Sequence, residues 1–225
     1  MIKLTNLILV IGSIGFMSFI GHPVEADSIT FNLGTGNPAI SGYPGPYASV
    51  LVNRTSTTTA IITFTSLTNS GKIYLFGDGS SVGVNVNATT WTLGAITGSN
   101  AGTGFTPGPF SDGGAGNEDG FGSFNQNINS FDGFTHSSDT VSFSLTDTSG
   151  TWANAGAVLT GNADGNLAAA HIFVTSFPAN AANGALATGF ASGFTHVSVP
   201  DGGTTVMLLG AGLSALGLVR RLVKR

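Results

Sequence analysis

The sequence predicts an all-β fold, an antiparallel sandwich of jelly-roll type. Three observations carry this expectation. Apolar and polar residues alternate with a period of two, glycine- and asparagine-rich clusters interrupt the alternation at short intervals, and no long amphipathic helical period occurs between Asp27 and Ser198. In "VGVNVN", Val82, Val84 and Val86 fall on one face and Gly83, Asn85 and Asn87 on the other. "VSFSLT" repeats the pattern with Val141, Phe143 and Leu145 against Ser142, Ser144 and Thr146. Such alternation describes strands with one face in the core and one in water.

At the amino terminus, residues 1–26 carry Lys3, an apolar stretch from Leu7 to Ile20, and Val24-Glu25-Ala26, with small side chains at the positions a signal peptidase reads. That order is the form of a secretory signal, with cleavage expected by signal peptidase after Ala26. The stretch is short for a membrane span, and Gly12 and Gly15 weaken it as an anchor helix. Residues 27–198 form the expected exported domain. Strand candidates follow in order: "SITFNL", "SVLVN", "TAIITFTSL", "KIYLF", "VGVNVN", "TWTL", "VSFSLT" and "HIFVTSF", separated by turns such as "TNSG" and "GDGS". The segment "NADGNLAAAH" is the best candidate for a short helix.

Residues 98–139 differ in texture, with ten glycines, six phenylalanines and no Lys or Arg. A structureless loop of that length does not suit a compact domain, so "FGSFNQNI" is expected to pair as an edge strand. The remainder reads as a glycine-rich surface or self-association segment, or as loops whose phenylalanines are buried. The tetrapeptide "GFTH" occurs at Gly133 to His136 and at Gly193 to His196, without repetition of its flanks.

Charge excludes one class of partner. Residues 27–198 hold two basic residues, Arg54 and Lys72, against nine acidic ones, so nucleic acid is not an expected partner. The sequence contains no cysteine. Disulfides, thiol catalysis, zinc-thiolate sites and a lipid-modified cysteine are therefore absent.

The carboxyl terminus has three parts: Val199, Pro200, Asp201, Gly202 and Gly203, then an apolar run, then Arg220, Arg221, Lys224 and Arg225. Pro200 and the two glycines disfavour helix and favour an extended, accessible segment. The 14 residues from Val206 to Val219 would extend about 21 Å as a helix. Counting from Thr204 to Val223 gives about 30 Å, enough for a bilayer core if the arginines snorkel. The basic end would stay on the cytoplasmic side.

This arrangement resembles the PEP-CTERM class of bacterial sorting signals, and its motif is similar to the VPDSG variant, with Gly202-Gly203 where the variant has Ser-Gly. The resemblance covers residues 199–225. It implies export, transient residence in the inner membrane, recognition and cutting by an exosortase, and a final place at the cell surface or outside the cell. Such proteins commonly accompany production of extracellular polysaccharide. A permanent tail anchor is the alternative.

Candidate chemistry in the body is sparse. "DGGAGNEDG" gathers Asp112, Asn117, Glu118 and Asp119 among glycines, an oxygen-rich set that calcium favours and that also describes a solvated acidic turn. No other cofactor is expected. Tyr43, Tyr47, Trp91 and Trp152 are candidate carbohydrate contacts through ring stacking, the tyrosines on the loop "SGYPGPY", with core packing as the alternative for the tryptophans. Glycoside hydrolysis needs paired carboxylates, and Glu118 is the single Glu of residues 27–198, with no spacing that selects a partner. His136, His171 and His196 occur without a nucleophile-elbow motif. The expectation is a non-enzymatic surface or matrix protein, then a lectin-like polysaccharide-binding module, then a hydrolase.

Overall fold

The computed structural model describes residues 27–194. The expected signal peptide with Ala26, the motif Val199 to Gly203, the membrane helix, Arg220, Arg221, Lys224, Arg225 and His196 lie outside the described residues. Thirteen strands follow in chain order among the described residues. They are β1 (Asp27–Leu33), β2 (Thr35–Gly36), β3 (Ala48–Arg54), β4 (Thr59–Ser66), β5 (Thr68–Asn69), β6 (Lys72–Phe76), β7 (Val82–Val84), β8 (Trp91–Ser99), β9 (Ser111–Glu118), β10 (Gly122–Asn129), β11 (Thr140–Asp147), β12 (Ala168–Ser176) and β13 (Ala187–Gly193). Among the described residues no helix is long and apolar enough to cross a membrane.

One sheet has the order β1-β3-β4-β11-β8. The other runs β2-β13-β12-β7-β10-β9, with β6 also alongside β12 and β5 paired to β6. Every strand pair is antiparallel. The two sheets share one apolar core. Val50, Val52, Ile62, Phe64, Val141, Phe143 and Leu145 enter it from the first sheet, and Val82, Val84, Ile128, Ala170, Ile172 and Val174 from the second. The alternation of "VSFSLT" is realised in β11, whose Val141, Phe143 and Leu145 are buried while Ser142, Ser144 and Thr146 are half-buried.

The second sheet departs from the one-wet-face expectation. Its outer side carries two smaller apolar clusters, one of Leu75, Phe173 and Ala179 and one of Phe121, Phe124 and Ala169. Phe105 and Phe134 pack on the first and Phe190 on the second. Phe105 and Phe134, from the segments before β9 and after β10, therefore cover part of this face. The tip of the β9–β10 hairpin reaches back across the sheet: Asn162 Nδ2 donates to Phe121 O at 2.8 Å, Asn166 Nδ2 donates to the same oxygen at 3.0 Å, and Asn37 Nδ2 donates to Asp119 O at 3.4 Å. Asn37 follows β2, which lies at the opposite edge from β9.

Two local expectations are corrected. "FGSFNQNI" is not an edge strand, because β10 pairs with both β7 and β9, and the glycine-rich β9 takes the edge. "NADGNLAAAH" forms no helix: Asn162 Oδ1 accepts from Asp164 N and Asn166 N, closing a turn that leads into β12. The first "GFTH" contains a single 3-10 turn, Phe134–His136, and the second begins on Gly193, the last residue of β13.

Candidate functional site

A polar groove of about 560 Å³ opens at one end of the sandwich. It is built by the segment after β7, the β10 bulge, the turn after β11 and the 151–160 segment. Asn125, within the β10 irregularity, acts as a substitute strand: its Oδ1 accepts from Val86 N at 2.7 Å and its Nδ2 donates to Val86 O at 2.9 Å. Val86 also forms a β-bridge with Leu159. Asn87 Nδ2 donates to Ala157 O and Asn85 Nδ2 to Gly161 O, which orients both amides along the wall.

Asp147 closes the other side. Its Oδ1 accepts from Ser149 N at 2.8 Å, Ser149 Oγ at 2.9 Å and Gly150 N at 2.8 Å. Burial acts to raise this carboxyl, but the three donors outweigh it and hold the pKa below the ordinary Asp value. Asp147 is the sole ionisable residue lining the groove. The other polar lining side chains are Asn, Ser and Thr, which exchange neutral hydrogen bonds with a ligand and supply no acid or base.

Trp152 forms the back of this groove as a core residue, 2% exposed, with Nε1 donating to Asn87 O at 2.8 Å. Its ring therefore presents no face for stacking. Tyr47, expected on an exposed loop, is likewise in the core at 3% exposure. It stands edge-on to Tyr74 at 4.9 Å and donates its hydroxyl to Tyr43 O at 2.8 Å. Tyr74 donates to Pro44 O at 2.6 Å, so the two rings pin the "SGYPGPY" loop from within. Burial raises both phenols, and Tyr47 adds to the effect at Tyr74. Tyr43 and Trp91 are half-buried and pack against the core, Trp91 Nε1 donating to Gln126 Oε1 at 2.9 Å. The four rings are not gathered in one place.

The oxygen-rich quartet is also dispersed. Asp112 and Glu118 lie at opposite ends of β9, about 20 Å apart at the rise of an extended strand. Asp112 Oδ1 accepts from Gly114 N and Gln126 Nε2. Asn117 and Asp119 are exposed, whereas Glu118 between them points inward and is fully buried. Strand alternation, unseen in a sequence so rich in glycine, separates them. Among the described residues no three His, Asp or Glu side chains converge as metal ligands. His136 Nδ1 lies 2.8 Å from Thr106 O, and His171 Nε2 lies 2.8 Å from Thr188 Oγ1. The groove itself was missed by sequence reasoning, since its signal is scattered over Asn85, Asn87, Asn125 and Asp147.

Comparison with protein families matched residues 198–223 to the VPDSG-CTERM motif. The chain carries a PEP-CTERM-like sorting signal of the VPDSG-CTERM type. That signal implies processing by an exosortase-type system and a location at the cell surface or outside the cell. Comparisons with curated proteins and with solved structures found no match. The VPDSG-CTERM motif begins four residues after Phe194, the last described residue, so the β-rich body directly precedes it.

Proposed function

We propose that this chain is an exported surface or matrix protein, cut at its VPDSG-CTERM motif by an exosortase, that acts by structure or adhesion within extracellular polysaccharide rather than by catalysis. The match at residues 198–223 is the observation that carries the reading. A body of two antiparallel sheets with one shared core is consistent with it, as is the burial of Glu118, the carboxylate a glycosidase reading would require at a solvent-open cleft. Mass spectrometry of the protein recovered from its native cells tests the processing. The expected mature form begins at Asp27 and ends near Val199 to Gly203. Recovery of chains intact to Arg225, or unchanged delivery after deletion of residues 204–225, overturns the reading.

The groove favours a second reading, a polysaccharide-binding module for neutral glycans, because its walls are uncharged amides and hydroxyls apart from Asp147. Thr151 and Thr160 are exposed and line it. Retention on immobilised exopolysaccharide that disappears in Thr151→Arg and Thr160→Arg supports this module. Retention that survives both substitutions removes the groove as its site.

A further inference from the structure

Beneath the curled β9–β10 hairpin lies a pair of groups that the groove does not use. Glu118, the last residue of β9, is 0% exposed, and neither of its carboxyl oxygens has a hydrogen-bond partner among the described residues. Asn127 Oδ1 on β10 is also buried and unpartnered. The Asn127 amide is oriented by its other end, since Nδ2 donates to Gly114 O at 3.2 Å. A Cβ on Gly83 of β7 would meet both Asn127 Oδ1 and Glu118 Oε1, the latter at 2.9 Å. Two acceptor oxygens thus converge over one bare stretch of backbone, with no donor between them.

Among the described residues no cation answers the carboxylate. Arg54 binds Asp27 at 2.6 Å on the other sheet, and Lys72 pairs with Ser176 at the opposite end of β12 from Ala169, the residue beside Gly83. The titratable groups on the surrounding elements are Asp112 at the far end of β9, Asp119 on the hairpin tip, Asp78 in the turn before β7, Asp164 in the turn before β12, and His171 on β12. Burial lowers the His171 pKa, against smaller raising effects of Asp78 and the Gly79 backbone.

We propose that Glu118 is a neutral carboxylic acid donating its O–H to Asn127 Oδ1, and that this pair is a pH-operated latch on the hairpin. Ionisation removes the donor and leaves a charge buried without a partner, which only opening of the tip can solvate. Opening uncovers Phe121, Phe124, Ala169 and Phe190, the apolar cluster the tip covers. Burial raises the Glu118 pKa well above about 4.5, the direction the latch requires. A raised folded-state pKa means that closure is at full strength below about pH 4.5 and weakens as pH rises toward the folded pKa.

Hydrogen exchange read by mass spectrometry on the full-length chain in detergent tests the latch. After correction for intrinsic exchange, opening of residues 117–124 is expected to rise about tenfold per pH unit above the ordinary carboxyl range, until the folded pKa is reached. In Glu118→Gln the profile should be flat, because the amide N–H can donate to Asn127 Oδ1 at every pH. A wild-type profile independent of pH overturns the proposal, as does protection at alkaline pH restored by calcium in the wild type but not in the variant. If the variant does not accumulate, infrared absorption of the wild type, followed with rising pH, decides: a protonated buried carboxyl that persists above the ordinary carboxyl range is expected, and its absence there overturns the latch.

Discussion

Trp152 fills the core behind the groove while its indole N–H reaches Asn87 O, so truncation removes both packing and a hydrogen-bond donor. Trp152→Ala should destabilise the body by about 3–5 kcal/mol, read from the urea midpoint. Trp91→Phe keeps most of the ring and forfeits the bond to Gln126, so about 0.5–1.5 kcal/mol is expected. Asp147 makes a prediction on the acid side. Its folded-state pKa is depressed, so its contribution is complete above about 3.8 and is lost as pH falls through the lower folded value. Asp147→Asn should remove that part of acid sensitivity in a melting series at low pH. Residue by residue, the sequence showed which types were present but not which way they faced. Tyr47 sits among prolines and glycines that read as surface, and the partner that draws it inward, Tyr74, is on another strand.

Strands with clean alternation were legible because one face of each had to enter a common core, as in β11 and the valines of β7. β9 was not legible. Its residues "SDGGAGNE" offer no apolar alternation, and its strand character comes from pairing with β10 rather than from its own propensity. Gly83 shows how an element depends on such a neighbour. An alanine there would push into Asn127 Oδ1 and Glu118 Oε1, so Gly83→Ala should cost about 1–3 kcal/mol in chemical denaturation. In a Glu118→Ala background the cost should shrink by at least about 0.5 kcal/mol, since one of the two obstructing atoms is gone.

For the whole molecule, the carboxyl-terminal sorting signal was more legible than the middle, because the order of motif, apolar run and basic end in sequence is itself what sorting machinery reads. The carboxyl-terminal match required no tertiary structure to find. The path of the sheets did, since β2 and β9, at opposite edges of one sheet, are joined by contacts between Asn37 and Asp119 that no local pattern announces.

The scarcity of basic residues has a consequence for durability. Trypsin can cut residues 27–194 only after Arg54 and Lys72. Arg54 is 5% exposed at the end of β3, and Lys72 is paired in register with both Ser176 and Asn69. Digestion at either bond has to wait for local unfolding. A time course on a gel should show the folded body persisting while the urea-unfolded chain is cut promptly at those two points, so that the fold itself guards both bonds.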